Sequence, residues 1–170
     1  MLLNHPGHPP VDLHATDSKR WSALHWACYN GHLNVIKLLL AHPVEVSLDL
    51  NAASHTGETA LHVASWYGYV DVVQALLNYP RHQAVDVNST AIDGKTPLHY
   101  AASAGYNAVV KVLLEHGAGL NTRTRDGRTA LMLVSQNRKG RNRERKRANE
   151  SYLLSLPGID LEGYSYPQDS

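Results

Sequence analysis

The sequence predicts an all-α solenoid, in which similar pairs of short helices stack side by side and are joined by hairpin loops. Three observations predict it. One motif recurs at nearly constant spacing, an apolar segment with helical periodicity follows each of its first three copies, and a short polar tract follows each segment. Because neither helix of such a pair can bury its apolar stripe alone, neighbouring pairs must supply the other wall of the core.

The recurring motif predicts the first helix of each unit. Its copies begin at Ser22, Thr59, Thr96 and Thr129, which are 37, 37 and 33 residues apart. They read SALHWACYNGH, TALHVASWYGY, TPLHYAASAGY and, in weaker form, TALMLVSQN. Each hydroxyl can accept from the free backbone amides at a helix start, and the glycine near the end of the first three copies suits a left-handed helix terminus.

The segments HLNVIKLLLAH, YVDVVQALLNY and YNAVVKVLLEH predict the second helices, because their aliphatic residues recur on one helical face. The first helices carry small residues at matching positions, Ala27-Cys28, Ala64-Ser65 and Ala101-Ala102. We expect these pairs to let the first helices approach closely, with leucines of the second helices closing the core behind them.

These units resemble the ankyrin-repeat family, whose signature is Thr-Pro-Leu-His-x-Ala, then a glycine, a leucine-rich second helix and a hairpin that carries an asparagine. Asn51, Asn88 and Asn121 stand at that asparagine position, and the resemblance covers nearly the whole chain. It implies a slightly curved solenoid whose hairpin tips and first helices form a concave face that binds other proteins. It implies no catalytic activity.

The repeat pattern also divides the chain into segments. The predicted segments are the tail of a truncated preceding repeat at 1–17, ankyrin repeats over 18–137, a basic insertion between helices at 138–147, and a degenerate final helix with its tail at 148–170. The repeats themselves are placed at about 18–50, 51–87 and 88–120, with a fourth starting at 121. We expect about four extra residues in each 37-residue unit to form longer loops around HPVEVSL and PRHQAV.

Departures from the repeat predict local irregularities. Arg20 stands where the later hairpins carry glycine, so we expect a distorted first hairpin. Met132 replaces the motif histidine and should change the internal hydrogen bonding of the fourth unit. Asn149 and Glu150 occupy positions that are apolar in other units, as suits an end wall that faces water.

The first complete unit has no polar capping helix before it, so we expect Leu24, Ile36 and Leu39 to lack part of their cover. Three interpretations are open: the natural protein extends further upstream, this end frays, or it self-associates.

The sequence favours neither a catalytic nor a metal site. His25, His62 and His99 share one repeat position, and the family resemblance implies that each ring bonds turn backbone and orders a hairpin. No histidine pair has zinc-helix spacing beside an acid. Ser103 lacks the first glycine of a Gly-x-Ser-x-Gly elbow. We therefore expect no enzyme, metal or cofactor.

Composition indicates the compartment. A single cysteine, Cys28, allows no intramolecular disulfide and favours a reducing compartment. The amino-terminal residues lack a signal-peptide pattern, and no apolar run is long enough to span a membrane. We expect a cytoplasmic or nuclear protein, or one found in both compartments.

The candidates for partner binding are the positions whose side chains are not needed for packing between the helices. They lie at hairpin tips and just before the helix-ending glycines, and they are Trp21, Tyr29, Asn30, His55, Glu58, Trp66, Tyr67, Ile92, Lys95, Ser103, Arg125, Arg128 and Gln136. This row changes from aromatic to basic, so it could engage a partner segment with an apolar part and an acidic part. The alternative is that some aromatics only fill space between repeats.

A basic run carries the second hypothesis. Seven basic residues and one acid lie between 138 and 147: the basic ones are Arg138, Lys139, Arg141, Arg143, Arg145, Lys146 and Arg147. The run is interpreted as a solvated loop, a nuclear-import signal, or a contact for acidic protein, nucleic acid or lipid headgroups. The corresponding function is a nuclear or polyanion-targeted adaptor. No aromatic residues interleave with the run, which disfavours nucleic acid as the partner.

Overall fold

The computed structural model describes residues 12–41, 48–79, 84–136 and 142–165. These residues form eight helices, and their strand-like pairing is an isolated bridge between Thr16 and Ser22. The helices are α1 (Ala23–Tyr29), α2 (Leu33–Leu40), α3 (Ala60–Tyr67), α4 (Val70–Leu77), α5 (Pro97–Ala104), α6 (Asn107–Glu115), α7 (Ala130–Gln136) and α8 (Arg143–Leu154). The predicted all-α repeat architecture is confirmed.

The helices form two layers. The first helices α1, α3, α5 and α7 pack in sequence, and so do the second helices α2, α4, α6 and α8. The small residues expected between first helices are almost fully buried, including Cys28, Ala64 and Ala101. Ile36 and Leu113, in the second layer, are also completely buried. A continuous apolar core therefore runs along the stack.

A buried histidine joins each of the first three units to the next. The backbone N–H groups of Ser22, Thr59 and Thr96 donate to the Nδ1 atoms of His25, His62 and His99 over 3.1 to 3.2 Å. Since Nδ1 accepts, the ring proton is on Nε2. Each Nε2 donates to a backbone oxygen in the following hairpin: those of Glu58, Lys95 and Arg128, at 3.0, 3.1 and 3.2 Å. One side chain thus fixes both a helix start and the next repeat.

The first hairpin is regular, so the expectation of distortion at Arg20 was wrong. Arg20 adopts a φ of 59°, in the left-handed region that Gly57 occupies at 78° in the next unit. The hairpin keeps the same closing bond, in which Asp17 donates its N–H to the Trp21 oxygen at 3.0 Å. The Asp17 carboxylate also accepts from the Lys19 and Trp21 amides, both at 2.8 Å. These bonds stabilise the turn, so a residue other than glycine can occupy its left-handed position.

Hairpin asparagines form a second link between units. Asn51 donates to the Ala84 oxygen and accepts from the Asp86 amide, at 3.0 and 2.8 Å. Asn88 bonds Gly117 and Gly119 in the same way, and Asn121 bonds Gly158 and Asp160. The segment after α8 therefore continues the hairpin pattern of the solenoid.

The final helix begins earlier than expected. It was placed after residue 147, but α8 starts at Arg143 and includes part of the basic run. The apolar stems of Arg145 and Lys146 lie against the α5 terminus at Gly105. This packing explains why the helix extends into a charged segment.

Asn149 and Glu150 do not face water, so that expectation was also wrong. They are 0% and 3% exposed. The Asn149 amide donates to the Ala102 oxygen at 3.3 Å, and the Glu150 carboxylate accepts from the Tyr164 hydroxyl at 2.5 Å. The segment that follows α8 returns to cover this helix and supplies the polar partner.

The cover of the first complete unit differs from expectation. Leu24 and Ile36 are 1% and 0% exposed, because both point into the shared core, so only the partly buried Leu39 fits the predicted loss of cover.

Met132 is buried near Gly163, and Thr129 Oγ1 accepts from its backbone amide at 3.4 Å. The predicted loops of the 37-residue units lie largely outside the described residues.

Replacing Arg20 with glycine should stabilise the protein. A side chain at a left-handed φ costs about 1 to 2 kcal/mol, while glycine also gains freedom in the unfolded chain, worth about 0.4 to 1 kcal/mol. The expected net gain is roughly 0.5 to 1 kcal/mol in the free energy of unfolding. Urea unfolding measures it. Lys19→Gly, at the neighbouring exposed position, should instead destabilise, and equal losses in both variants would contradict this account.

Acid should weaken the fold through the three histidines. Burial is the main cause that lowers the pKa of His25, His62 and His99 below the ordinary value of 6.5. The unfolded chain then binds more protons below about pH 6.5, so stability is complete above that pH and is lost as pH falls towards the folded values.

Each unit of pKa depression corresponds to about 1.4 kcal/mol. Urea midpoints between pH 7.5 and 5 should therefore fall, and His62→Gln should reduce the slope of that decline. A wild-type midpoint that stays constant or rises on acidification would refute the assignment.

Candidate functional site

An aromatic cleft lies on the side of the solenoid formed by first helices and hairpins. It has a volume of about 320 Å³, and its lining residues are Trp21, Glu58, Val63, Trp66, Tyr67, Lys95 and Tyr100. The cleft spans three successive units, since its residues come from the hairpin before α1, from α3 with its hairpin, and from α5 with its hairpin. The stacking of repeats therefore builds it.

Edge-to-face ring contacts arrange the aromatic side chains. The Tyr29 ring lies 5.7 Å from that of Trp21 and 4.9 Å from that of Tyr67, at steep interplanar angles. The Trp66 and Tyr100 rings meet at 5.8 Å and 80°. In such contacts the positive edge of one ring meets the negative face of another, which is a favourable arrangement. Trp66 remains 46% exposed.

Glu58 places a carboxylate among these rings. Its Oε1 accepts from the Tyr100 hydroxyl at 2.7 Å, and its Oε2 accepts from the Thr56 hydroxyl at 2.8 Å. Burial, followed by the bond to Glu58, raises the pKa of the Tyr100 phenol, so it stays a donor at neutral pH. The nearby Lys95 ammonium pairs with Asp93 at 2.7 Å.

The structure brings together five of the predicted binding residues around the cleft: Trp21, Glu58, Trp66, Tyr67 and Lys95. Tyr29 touches two of them. The others lie outside the lining: Asn30, whose amide donates to the Trp26 oxygen, the hairpin residues His55, Ile92 and Arg125, the half-buried Ser103, and the pair Arg128 and Gln136.

Sequence reasoning missed three residues of this surface, Trp26, Val63 and Tyr100. Tyr100 lines the cleft, and Trp26 is 43% exposed, with its ring 4.9 Å from that of Trp21. Both follow the motif histidine directly. The aligned residue Val63 also lines the cleft, so this register was the signal that could have identified them.

The described part of the basic run contains both buried and exposed side chains. Arg138, Lys139 and Arg141 lie outside the described residues. Lys146 is 7% exposed and burial lowers its pKa, while the Arg145 guanidinium lies 5.9 Å from the Tyr106 ring centroid. Arg143 and Arg147 are exposed on α8.

The cysteine thiol and the possible metal ligands can also be placed in the described residues. Burial raises the pKa of the Cys28 thiol to about 12, so it is not a nucleophile at neutral pH. In the part of the chain that the structure describes, no three histidine, cysteine or acidic side chains could together hold a metal ion. Within the same ranges, no helix has both the length and the apolarity to cross a bilayer.

Replacing Tyr100 with phenylalanine should test how firmly Glu58 is held. The loss of one hydrogen bond should lower the free energy of unfolding by roughly 0.5 to 1.5 kcal/mol, as measured by urea titration. Tyr152→Phe is the matched control, because the Tyr152 ring contacts Lys111 while no hydrogen bond of its hydroxyl is found in the described ranges. Equal effects of the two variants would show that the bond to Glu58 contributes nothing.

Comparison with known proteins agrees with this geometry. A family model described as ankyrin repeats in three copies matches residues 1–91 and 81–144. No curated protein matches the sequence.

Proposed function

Since the chain belongs to the ankyrin-repeat family, we propose that it is a non-catalytic scaffold that binds a partner protein through its concave groove. The groove is the surface made by the first helices and the hairpin tips. Ankyrin repeats are generally protein-interaction modules and their proteins are typically non-catalytic. The repeat framework supplies the stack, and the exposed residues of the groove supply specificity.

A row of exposed aromatic rings on adjoining units carries this proposal. Trp26, Tyr29, Trp66 and Tyr67 are 43%, 38%, 46% and 36% exposed, although each is large enough to bury substantial apolar area. Tryptophan and tyrosine dominate binding hot spots because they bury much surface with few rotatable bonds. Here the edge-to-face contacts already restrict the rings, so binding costs less ordering entropy.

The other end of the groove is basic. Arg125 is exposed on its hairpin, and its backbone amide donates to the Asp93 oxygen at 3.0 Å, which fixes the hairpin tip. Arg128 forms an ion pair with Asp126 and donates to Gln136 at 2.9 Å, so it is less available. A partner segment that crosses the groove should meet rings first and Arg125 last.

For the adaptor hypothesis, α8 exposes Arg143, Arg145 and Arg147 but buries Lys146, so only part of the basic run that lies on this helix is accessible. We retain the import or polyanion role of residues 138–147 as the alternative, and cytoplasmic or nuclear residence as part of the proposal. A polyanion contact should weaken steeply as salt rises.

Affinity capture from cell extract tests the proposal. A double variant, Trp66→Ala with Tyr67→Ala, should lose specific partners and bind the identified partner at least tenfold more weakly, about 1.4 kcal/mol. The control is Val35→Ala with Leu38→Ala, which removes two exposed apolar side chains from α2 in the other helix layer. Thermal melts should show both variants folded. Retention of all partners by the groove variant would contradict the proposal.

A further inference from the structure

The cleft contains a carboxylate without a cation. Glu58 accepts one hydroxyl on each oxygen, which leaves further acceptor positions on both. Among the described residues, no lysine or arginine forms an ion pair with it. Lys95, which lines the same cleft, has Asp93 as its partner instead. A negative charge in an aromatic cleft is therefore left for a ligand.

The surrounding groups make this end of the groove attractive to positive charge. The faces of tryptophan and tyrosine rings carry negative potential, and Trp21, Trp66, Tyr67 and Tyr100 line the cleft. The Asp17 carboxylate lies on the same side, where it accepts from the Trp26 indole at 3.3 Å. The Lys95 ammonium in the lining is paired with Asp93. The rings and the Glu58 carboxylate therefore favour a cation over an anion, and a purely apolar group would give Glu58 no partner.

A guanidinium group suits this combination better than an ammonium group. It is planar and weakly hydrated, so it can stack on a ring face while its forked N–H groups bond a carboxylate. In Glu58 the two hydroxyl donors orient the carboxylate in advance. Stacking and hydrogen bonding can then occur together in one bound side chain.

We propose that the aromatic cleft binds an arginine side chain of the partner protein, stacked between its rings and paired with Glu58. This inference rests on the proposed use of the groove and defines the partner chemistry at its aromatic end. The partner segment then carries an arginine at this end and, further along, the acidic part expected opposite Arg125.

Immobilised heptapeptide pools test the proposal. Each pool has a fixed central residue, arginine, lysine, norleucine or glutamate, flanked by randomised positions, and the full chain is the soluble binder. The arginine pool should retain at least five times more protein than the norleucine pool, with lysine between them. Glu58→Gln should reduce retention on the arginine pool to the norleucine level, because the amide keeps the shape but loses the charge.

Glu115→Gln is the matched control, since it removes one exposed carboxylate from α6 in the other helix layer. It should leave retention on the arginine pool unchanged. An equal loss in both variants would show that the effect comes from net charge and not from the position of Glu58, and it would overturn the proposal. Retention by the norleucine or lysine pool that equals or exceeds that of arginine would also overturn it.

Sedimentation distinguishes a second copy of the chain as occupant. A wild-type dimer that Glu58→Gln dissociates, with no pool retained, would overturn the proposal. If all four pools retain the protein equally while the Trp66 and Tyr67 variant loses its captured partners, the arginine inference fails and the groove proposal stands. If that variant also keeps its partners, both fail.

Discussion

The hydrogen-bonded histidine at the start of α1, α3 and α5 is the interaction on which the other features depend. Its Nδ1 accepts from a backbone amide that would otherwise be unsatisfied at a buried helix terminus, and its Nε2 donates to the next hairpin. A buried polar group left without such a partner costs about 1 to 3 kcal/mol. For His62 the ring meets both needs at once, so helix capping and repeat-to-repeat register are set by the same side chain.

This register has a direct consequence for the groove. Lys95 supplies the oxygen that His62 bonds, and its side chain lines the aromatic cleft. Glu58 likewise supplies the oxygen that His25 bonds while its carboxylate accepts from Tyr100. The residues that carry the binding chemistry are thus attached to the backbone atoms that lock the repeats together. The histidine bonds that join the repeats therefore also pre-organise the cleft.

The sequence predicted the architecture well because the repeat supplies several independent signals in one register. Cap hydroxyl, histidine, small pair and glycine agree at each of the first three copies, and the helices form where they indicate. The ends were harder. Burial of Asn149 and Glu150 depends on the return of residues after α8, a contact that no local pattern of 149 and 150 reveals. Arg20 was misjudged because the Asp17 bonds that support its turn come from a different residue.

The candidate site was predictable only in outline. Hairpin and helix-end positions were identified by their freedom from packing, and five of them meet at the cleft. Which of them meet depends on side-chain direction across three units, and the repeat alignment gives only the position along each unit. Tyr100 shows the difficulty: it lies inside the helical motif, yet its hydroxyl reaches Glu58 in the hairpin of the preceding unit.

Nitrogen-detected NMR of the imidazole rings tests the central claim most directly. His25, His62 and His99 should each show the neutral form with the proton on Nε2, and those three protons should exchange with water as slowly as buried backbone amides. A proton on Nδ1, or fast exchange at these rings, would mean that the histidines do not join the units and that the stack is held in another way.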